Sequence, residues 1–405
     1  MIFSEVAIGR VAKIVNGGTP TPDEDNWGGN IPWATPIDLG TSNGGEVSAT
    51  IRTLTELGAK TGSSVVPENA VLLSTRAPIG YVAQARVPMA FNQGCKALVP
   101  NADLMSSFLL YALVHASAEL QSLGQGSTFL ELSGSSLSAL KIPFPPMASQ
   151  QQIAKYLDAH TEKIDLLIEK QERLIKTLAE RLDGAWSSRV NELIARFPSV
   201  PMRRVIVSIV DGPFGSSLTS AHYSDEGAGV VRLGNIGVDE FKLDDRAYVP
   251  IEYAQSLSAH AVEPGDVVVA GLGDEKMPLG RAAIVPEAFG RGIVKADCYR
   301  VRPGRKVTPE YIAWILSSPQ SRTQFRALSR GSTRQRLNTQ VVQEVDIPLP
   351  TFEVQSAVVT AFASMRVSND ALIAKAREMI HVLKERRQTL ISAAVTGMID
   401  VRGLS

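Results

Sequence analysis

The chain repeats itself, and that repeat limits its possible folds more than anything else in the sequence. Gly126-Ser127-Thr128 returns as Gly331-Ser332-Thr333. At the same offset Ile142-Pro143 returns as Ile347-Pro348, Pro145 as Pro350 and Gln150 as Gln355. Upstream, Pro78-Ile79-Gly80 matches Pro278-Leu279-Gly280, Cys95 matches Cys298 and Pro100 matches Pro303. The offset drifts because the stretch Gly271 to Lys276 is longer than its counterpart before Arg76. Matches that keep their order across most of the 405 residues mark two copies of one unit. A chain of this length also suits two cores better than one.

Each copy has two parts of different periodicity. Residues 1–148 and 199–353 are rich in Gly, Pro, Ser and Thr and in short β-branched runs. Ala70–Ser74, Lys96–Val99 and Asp266–Ala270 read as strands bounded by turns. Ser106–Leu120 and Pro309–Phe325 read as amphipathic helices, the second with Thr308 as N-cap ahead of Pro309. Each of these parts is expected to be a mixed α/β globule.

Residues 149–198 and 354–405 are helical in pattern. From Thr161 to Arg196 the apolar residues are Ile164, Leu167, Ile168, Leu174, Ile175, Leu178, Leu182 and Trp186, the spacing of one helix face. The second copy gives Leu372, Ile373, Met379, Ile380, Leu383, Leu390, Ile391 and Val395. Residues 149–196 hold eight basic and eight acidic side chains, so the other face is solvated. A seam of ~35 residues, roughly 50 Å at 1.5 Å per residue, is too long for one small globule to cover. The two copies are therefore expected to bury their seams together as a coiled coil. An antiparallel pair would carry the globules at its two ends. Gly184 costs about 1 kcal/mol relative to Ala inside such a helix, which allows a bend or a helix end near it.

Lys plus Arg and Asp plus Glu each number 41, so no global field marks a nucleic-acid partner and such contact must rest on local patches. No apolar run approaches the ~20 residues that cross a bilayer. Met1–Glu5 lacks the basic start and apolar stretch of a secretory signal. With two cysteines, the chain is expected to be cytoplasmic, without a disulfide framework or zinc site. The five histidines form no metal-spaced cluster. Neither a G-x-x-x-x-G-K-[ST] loop nor a helix-opening G-x-G-x-x-G occurs to hold a nucleotide. No catalytic residue, metal or cofactor of its own is expected. Asp211-Gly212-Pro213-Phe214 is similar to the D-P-P-[FY] motif of adenine-N6 methyltransferases. Gly replaces the first Pro, however, and a Gly-Pro turn is the better reading.

Several patches could read DNA. Arg322 to Arg336 carries five arginines and no acid: Arg322, Arg326, Arg330, Arg334 and Arg336. Ser332 and Thr333 sit among them. Arg and Gln are the side chains that pair bidentately with guanine and adenine edges. The matching loop of copy one, with Gln125, Ser127 and Thr128, is uncharged but also offers hydrogen bonds. Thr75 and Arg76 before the Pro78 turn, their partner Lys276, and Arg232 at the start of a Gly234-Asn235 loop complete the set.

With these features in place, the whole chain resembles the specificity subunits of type I restriction–modification systems. In copy one the resemblance rests on Gly17-Gly18-Thr19-Pro20-Thr21-Pro22, Trp27 and Ile31-Pro32-Trp33. In copy two it rests on Asp211 to Ser216 and Val231-Arg232-Leu233-Gly234-Asn235-Ile236. Both copies then show the Gly-Ser-Thr loop, the Ile-Pro-x-Pro exit strand and a Gln-led helix. Lys384 to Gly397 looks like the family's distal helix. Glu180 to Trp186 departs from that segment type.

The resemblance implies an α+β fold: two pseudo-repeated mixed α/β target recognition domains separated by two long antiparallel helices forming a coiled coil. Each domain would read one half of a gapped double-stranded DNA site. Thr19, Thr21, Ser216 and Ser217 then join the DNA-binding candidates. Two methyltransferase subunits would dock on the helices and supply S-adenosylmethionine, and motor-nuclease subunits would use ATP and Mg. The specificity subunit of a type IIB-like restriction enzyme remains an alternative within the class. A coiled-coil adaptor without DNA contact is an alternative outside it. A self-contained methyltransferase lacks its cofactor and target-amine motifs here.

Overall fold

Val71–Thr75 and Val267–Ala270, the apolar runs read as strands, lie at the buried centres of two corresponding sheets. The computed structural model describes residues 3–76, 78–125, 130–274, 276–329 and 336–401. It divides into two units, one of residues 1–172 with 376–405, the other of residues 173–375.

In unit 1 the main sheet runs Ala12–Asn16, Cys95–Pro100, Val71–Thr75, Ile79–Ala85, Gly45–Val47. In unit 2 it runs Ile206–Val210, Cys298–Pro303, Val267–Ala270, Ala282–Ile284. A second sheet repeats likewise. Thr53–Leu54, Trp27–Ala34, Met89–Phe91 and Ser64–Val66 correspond to Tyr248–Val249, Ala228–Val231, Gly292–Val294 and Ala261–Val262. Its central pair is parallel in both units while the outer pairs are antiparallel. The repeated Ile-Pro closes each unit through a short ribbon, Val6 opposite Ile142 and Val200 opposite Ile347. The matched Cys95 and Cys298 open equivalent strands, and burial pushes both thiols up to about 12. The sequence repeat is thus a repeat of topology.

The two segments read as single helices are each split. Ser106–His115 and Ser117–Ser122 meet at Ala116, and Pro309–Leu316 is followed by Pro319–Leu328. In the second case Pro319 cannot continue the preceding helix, and Ser318 caps the new one by accepting from the Ser321 N–H. Thr308 caps Pro309–Leu316 as expected, accepting from the Tyr311 N–H.

The central helix, Met147–Arg196, starts well before Thr161 and passes Gly184 without ending there. The distal helix is Phe352–Val395. Gln150 and Gln355 explain why both begin where they do. Each is fully buried. Gln150 donates to the carbonyls of Asp103 and Pro145 and accepts from the Met105 N–H. Gln355 donates to Lys306 and Pro350 and accepts from the Thr308 N–H. A buried amide with all three partners fixes the helix start to the loop before the domain's own helix.

Within unit 1, Ile153 and Leu157 near the start of the central helix share a core with Ile391, Ala394 and Val395 near the end of the distal one. The two halves therefore run antiparallel. Unit 2 repeats this with Trp186, Val190 and Leu193 against Val358 and Phe362. Trp186 lies 4.4 Å from the Phe362 ring and 6.0 Å from Trp314. Such pairs add about 0.5–1.5 kcal/mol beyond their buried area.

The least exposed line of the central helix is Thr161, Ile164, Ile168, Gln171, Ile175, Leu178 and Leu182, alternating by three and four, with Thr161, Ile164 and Leu178 buried and the others half-buried. Leu167 and Leu174 precede that line by one residue and are exposed, and so are Leu372 and Met379 on the distal helix. Their assignment to the seam is corrected accordingly. A seam of strict 3.5-residue period excludes neighbours that a 3.6-residue stripe would admit.

Candidate nucleic-acid interface

In unit 1 the Gly17–Pro22 segment is shaped by indole donors. Trp33 Nε1 donates to the Gly18 carbonyl at 3.0 Å and Trp27 Nε1 to the Thr21 carbonyl at 2.9 Å. Asn26 Nδ2 donates to the Thr21 hydroxyl at 2.9 Å. Gly17 is a packing requirement, since a Cβ there would overlap the Asn92 backbone. Gly212 meets Lys295 in the same way. Thr19 is exposed and bonds Gln93. Arg76 lies beside Gly94. Gln125 is exposed and its backbone pairs with Glu131. Thr75 is corrected from surface to core: it is fully buried and its hydroxyl donates to the Gly94 carbonyl at 3.1 Å. Ser127 and Thr128 lie outside the described residues.

Sequence reasoning passed over Arg52. It is exposed, with its guanidinium carbon 3.5 Å from the Trp27 ring centroid and 5.5 Å from Trp33. The two indoles meet edge to face at 5.0 Å. The signal was the Trp27/Trp33 pair, which gives a cation a flat platform, but nothing local in the sequence ties Arg52 to it.

Unit 2 gathers more of the candidates. Arg336 donates through Nε to Asp297 Oδ1 and lies 5.5 Å from the Phe214 ring, and Ser216 and Ser217, which follow Phe214 in the chain, are exposed. Leu272 pairs with Arg336, bringing in the hairpin that carries exposed Lys276. Arg281 ties this hairpin to the Arg232 loop. Its guanidinium donates to the carbonyls of Leu233 at 3.0 Å, Ile236 at 2.5 Å and Leu272 at 2.8 Å. Burial holds Arg281 below its ordinary value. Arg232 itself is engaged by Asp245. Asp211 spends its carboxylate on its own turn, accepting from the Gly212 and Asp297 N–H groups at 2.7 and 2.9 Å. Burial raises that carboxyl, and the Gly-Pro turn reading describes it. Arg330, Ser332, Thr333 and Arg334 lie outside the described residues.

The two interfaces stand on equivalent backbone. Thr75 and Gly271 both donate to the following strand's entry, at Gly94 and Asp297, and both accept from a leucine N–H, Leu132 and Leu337. Arg336, one residue before Leu337, therefore occupies the position of Glu131. One scaffold presents opposite charges at one place. Among the described residues no group of His, Cys, Asp and Glu is placed to hold a metal, and no helix is long and apolar enough to cross a membrane.

Residues 3–176 match the family model of the type I restriction modification DNA specificity domain. Over 200 residues the chain is 35% identical to the type I restriction enzyme MjaIX specificity subunit of Methanocaldococcus jannaschii, covering 45% of this chain and 46% of that protein. Over 364 residues it is 20% identical to the EcoKI specificity subunit of Escherichia coli, covering 85% of this chain and 77% of the other. A chain from a solved structure on the assembly of a type I R-M system shares its fold, with TM-score 0.73, 17% identity and 98% of each chain covered. The chain spans about half the length of the MjaIX subunit it matches, so the comparisons agree on this much: its first copy carries the type I restriction modification DNA specificity domain, and its whole fold is similar to that of a chain from a type I R-M system.

Proposed function

We propose that each unit reads one half of a gapped double-stranded DNA site for partner enzymes that carry out the chemistry. The observation that carries this is the repeated scaffold with opposite charge at Glu131 and Arg336. A duplicated reader with exchanged side chains suits two different half-sites. Unit 1 would read with Thr19, Arg76, Gln125 and Arg52, and unit 2 with Ser216, Ser217, Lys276 and Arg336. The chain itself is non-catalytic in this reading. S-adenosylmethionine belongs to methyltransferase partners, and ATP and Mg to motor-nuclease partners.

Exposed apolar residues on the helices support a helical docking partner. Leu167 and Leu174 are spaced by one heptad on the central helix, Leu372 and Met379 by one on the distal helix, and all are exposed. The test is to express the chain with its methyltransferase and map methylated adenines genome-wide. A two-part motif with a fixed gap is expected. Methylation without sequence preference, or identical methylation when this chain is omitted, would refute the reading.

A further inference from the structure

Gly44 and Asp239 occupy the same place in the two units. Each has positive φ, 73° and 54°. Gly44 donates its N–H to Val82 at 2.7 Å, and Asp239 donates to Ala282 at 3.0 Å. Val82 and Ala282 stand at the same offset as the matched Pro-x-Gly turns just before them.

Each turn also offers its carbonyl to an arginine of the distal helix. Arg387 Nη2 donates to the Gly44 oxygen at 2.9 Å, and Arg366 Nη1 donates to the Asp239 oxygen at 2.8 Å. A strict repeat would draw one arginine from each long helix. Instead both come from the distal helix, three heptads apart in sequence and so on one stripe of it. Arg387 further donates through Nε to Asp165 of the central helix at 2.9 Å, and its side chain is only 15% exposed. Arg366 reaches the Val238 carbonyl and the Asp239 carboxylate, each at 3.4 Å.

Each domain also meets its helices through apolar contacts, Leu157 and Ile391 in unit 1 and Trp186 and Phe362 in unit 2, and through uncharged hydrogen bonds such as Gln388 to the Val114 carbonyl and Gln320 to the Ser187 carbonyl. Apolar burial holds surfaces together without fixing their rotation. A guanidinium on a carbonyl is directional and charge-assisted. We propose that Arg366 and Arg387 are positioning residues that set the angle of each recognition domain on its helical segment, and through that angle the gap accepted between half-sites. This rests on the DNA-reading function given above.

The test uses the full chain in complex with its methyltransferase and duplexes carrying both half-sites at a series of gap lengths. For Arg366→Ala and Arg387→Ala, preference for the native gap over gaps one base pair longer or shorter is expected to fall about tenfold. The half-site sequences should stay the same. Arg366→Lys and Arg387→Lys keep charge without the fork and are expected to fall between. If the Ala variants melt as unfolded chains, these Lys variants carry the test. Asp239→Gly keeps both the carbonyl and the positive φ, so its gap preference should match wild type. Folded variants with a wild-type gap profile would overturn this inference and leave the DNA reading standing. A wild-type complex with no two-part preference would overturn both.

Discussion

Arg336 donates to Asp297 at 2.6 Å while facing the Phe214 ring, so this candidate cation of unit 2 is held by a carboxylate at its own surface. The Arg336 side chain is 48% exposed, and a pair of this kind is worth about 0–1 kcal/mol. DNA can therefore take Arg336 from Asp297 at small cost. Arg336→Ala is expected to weaken specific binding by roughly 1–3 kcal/mol if it reads a base. If it meets phosphate instead, binding should fall on all sequences and the salt slope should flatten. Asp297→Asn should tighten binding by freeing the arginine. Unchanged titrations for both variants would remove Arg336 from the interface.

Arg52 is the corresponding test for unit 1. Its stack on Trp27 is worth about 0.5–1 kcal/mol at an exposed site, so Arg52→Ala should leave the melting temperature nearly unchanged. Specific binding is expected to weaken by roughly 1–3 kcal/mol. Loss of stability with full binding would make the stack purely structural.

Asp239 gives the fold a pH dependence. Burial raises its carboxyl to about 7, outweighing the nearby Arg366. An unfolded aspartate titrates near 4, at about 3.9. Between the two values the native state holds the extra proton, so stability falls as pH rises. Denaturant melts should show wild type losing stability from pH 5 to 8 relative to Asp239→Asn. Parallel curves for the two proteins would contradict the assignment.

A methyl group at Gly184 would meet no heavy atom within 4 Å. Gly184→Ala should therefore raise stability by about 1 kcal/mol through helix propensity alone. Thermal melts of the two chains decide it, and a lower melting temperature would show that the glycine has a packing role.

Removing the Gln150 amide leaves the Met105 N–H and the Asp103 and Pro145 carbonyls buried without it. Gln150→Leu is expected to cost about 3 kcal/mol or more, measured by denaturant unfolding. A near-wild-type midpoint would mean that water or backbone movement replaces the amide.

The repeat and the helix/strand division were legible because Pro, Gly and apolar period act locally. Cys95 and Cys298, Gln150 and Gln355, and Ile142 and Ile347 all fall at equivalent places. Side-chain roles were harder to read, because they depend on partners far along the chain. Thr75 looked like a surface hydroxyl until Gly94 and Leu132 closed over it. Arg232 looked free, but Asp245 engages it. Arg281 and Arg52 had no local mark at all. The seam was misassigned at Leu167, Leu174, Leu372 and Met379 because two periods differing by a tenth of a residue agree over one turn and part over several.

The Gln150 and Gln355 clamps ask little of the domain they hold. Each needs two carbonyls and one N–H, all from backbone: Asp103, Pro145 and Met105 in one unit, Lys306, Pro350 and Thr308 in the other. No side chain of the recognition domain enters the bargain. The surface loops proposed to meet DNA can therefore change in sequence while the socket that receives each helix stays the same.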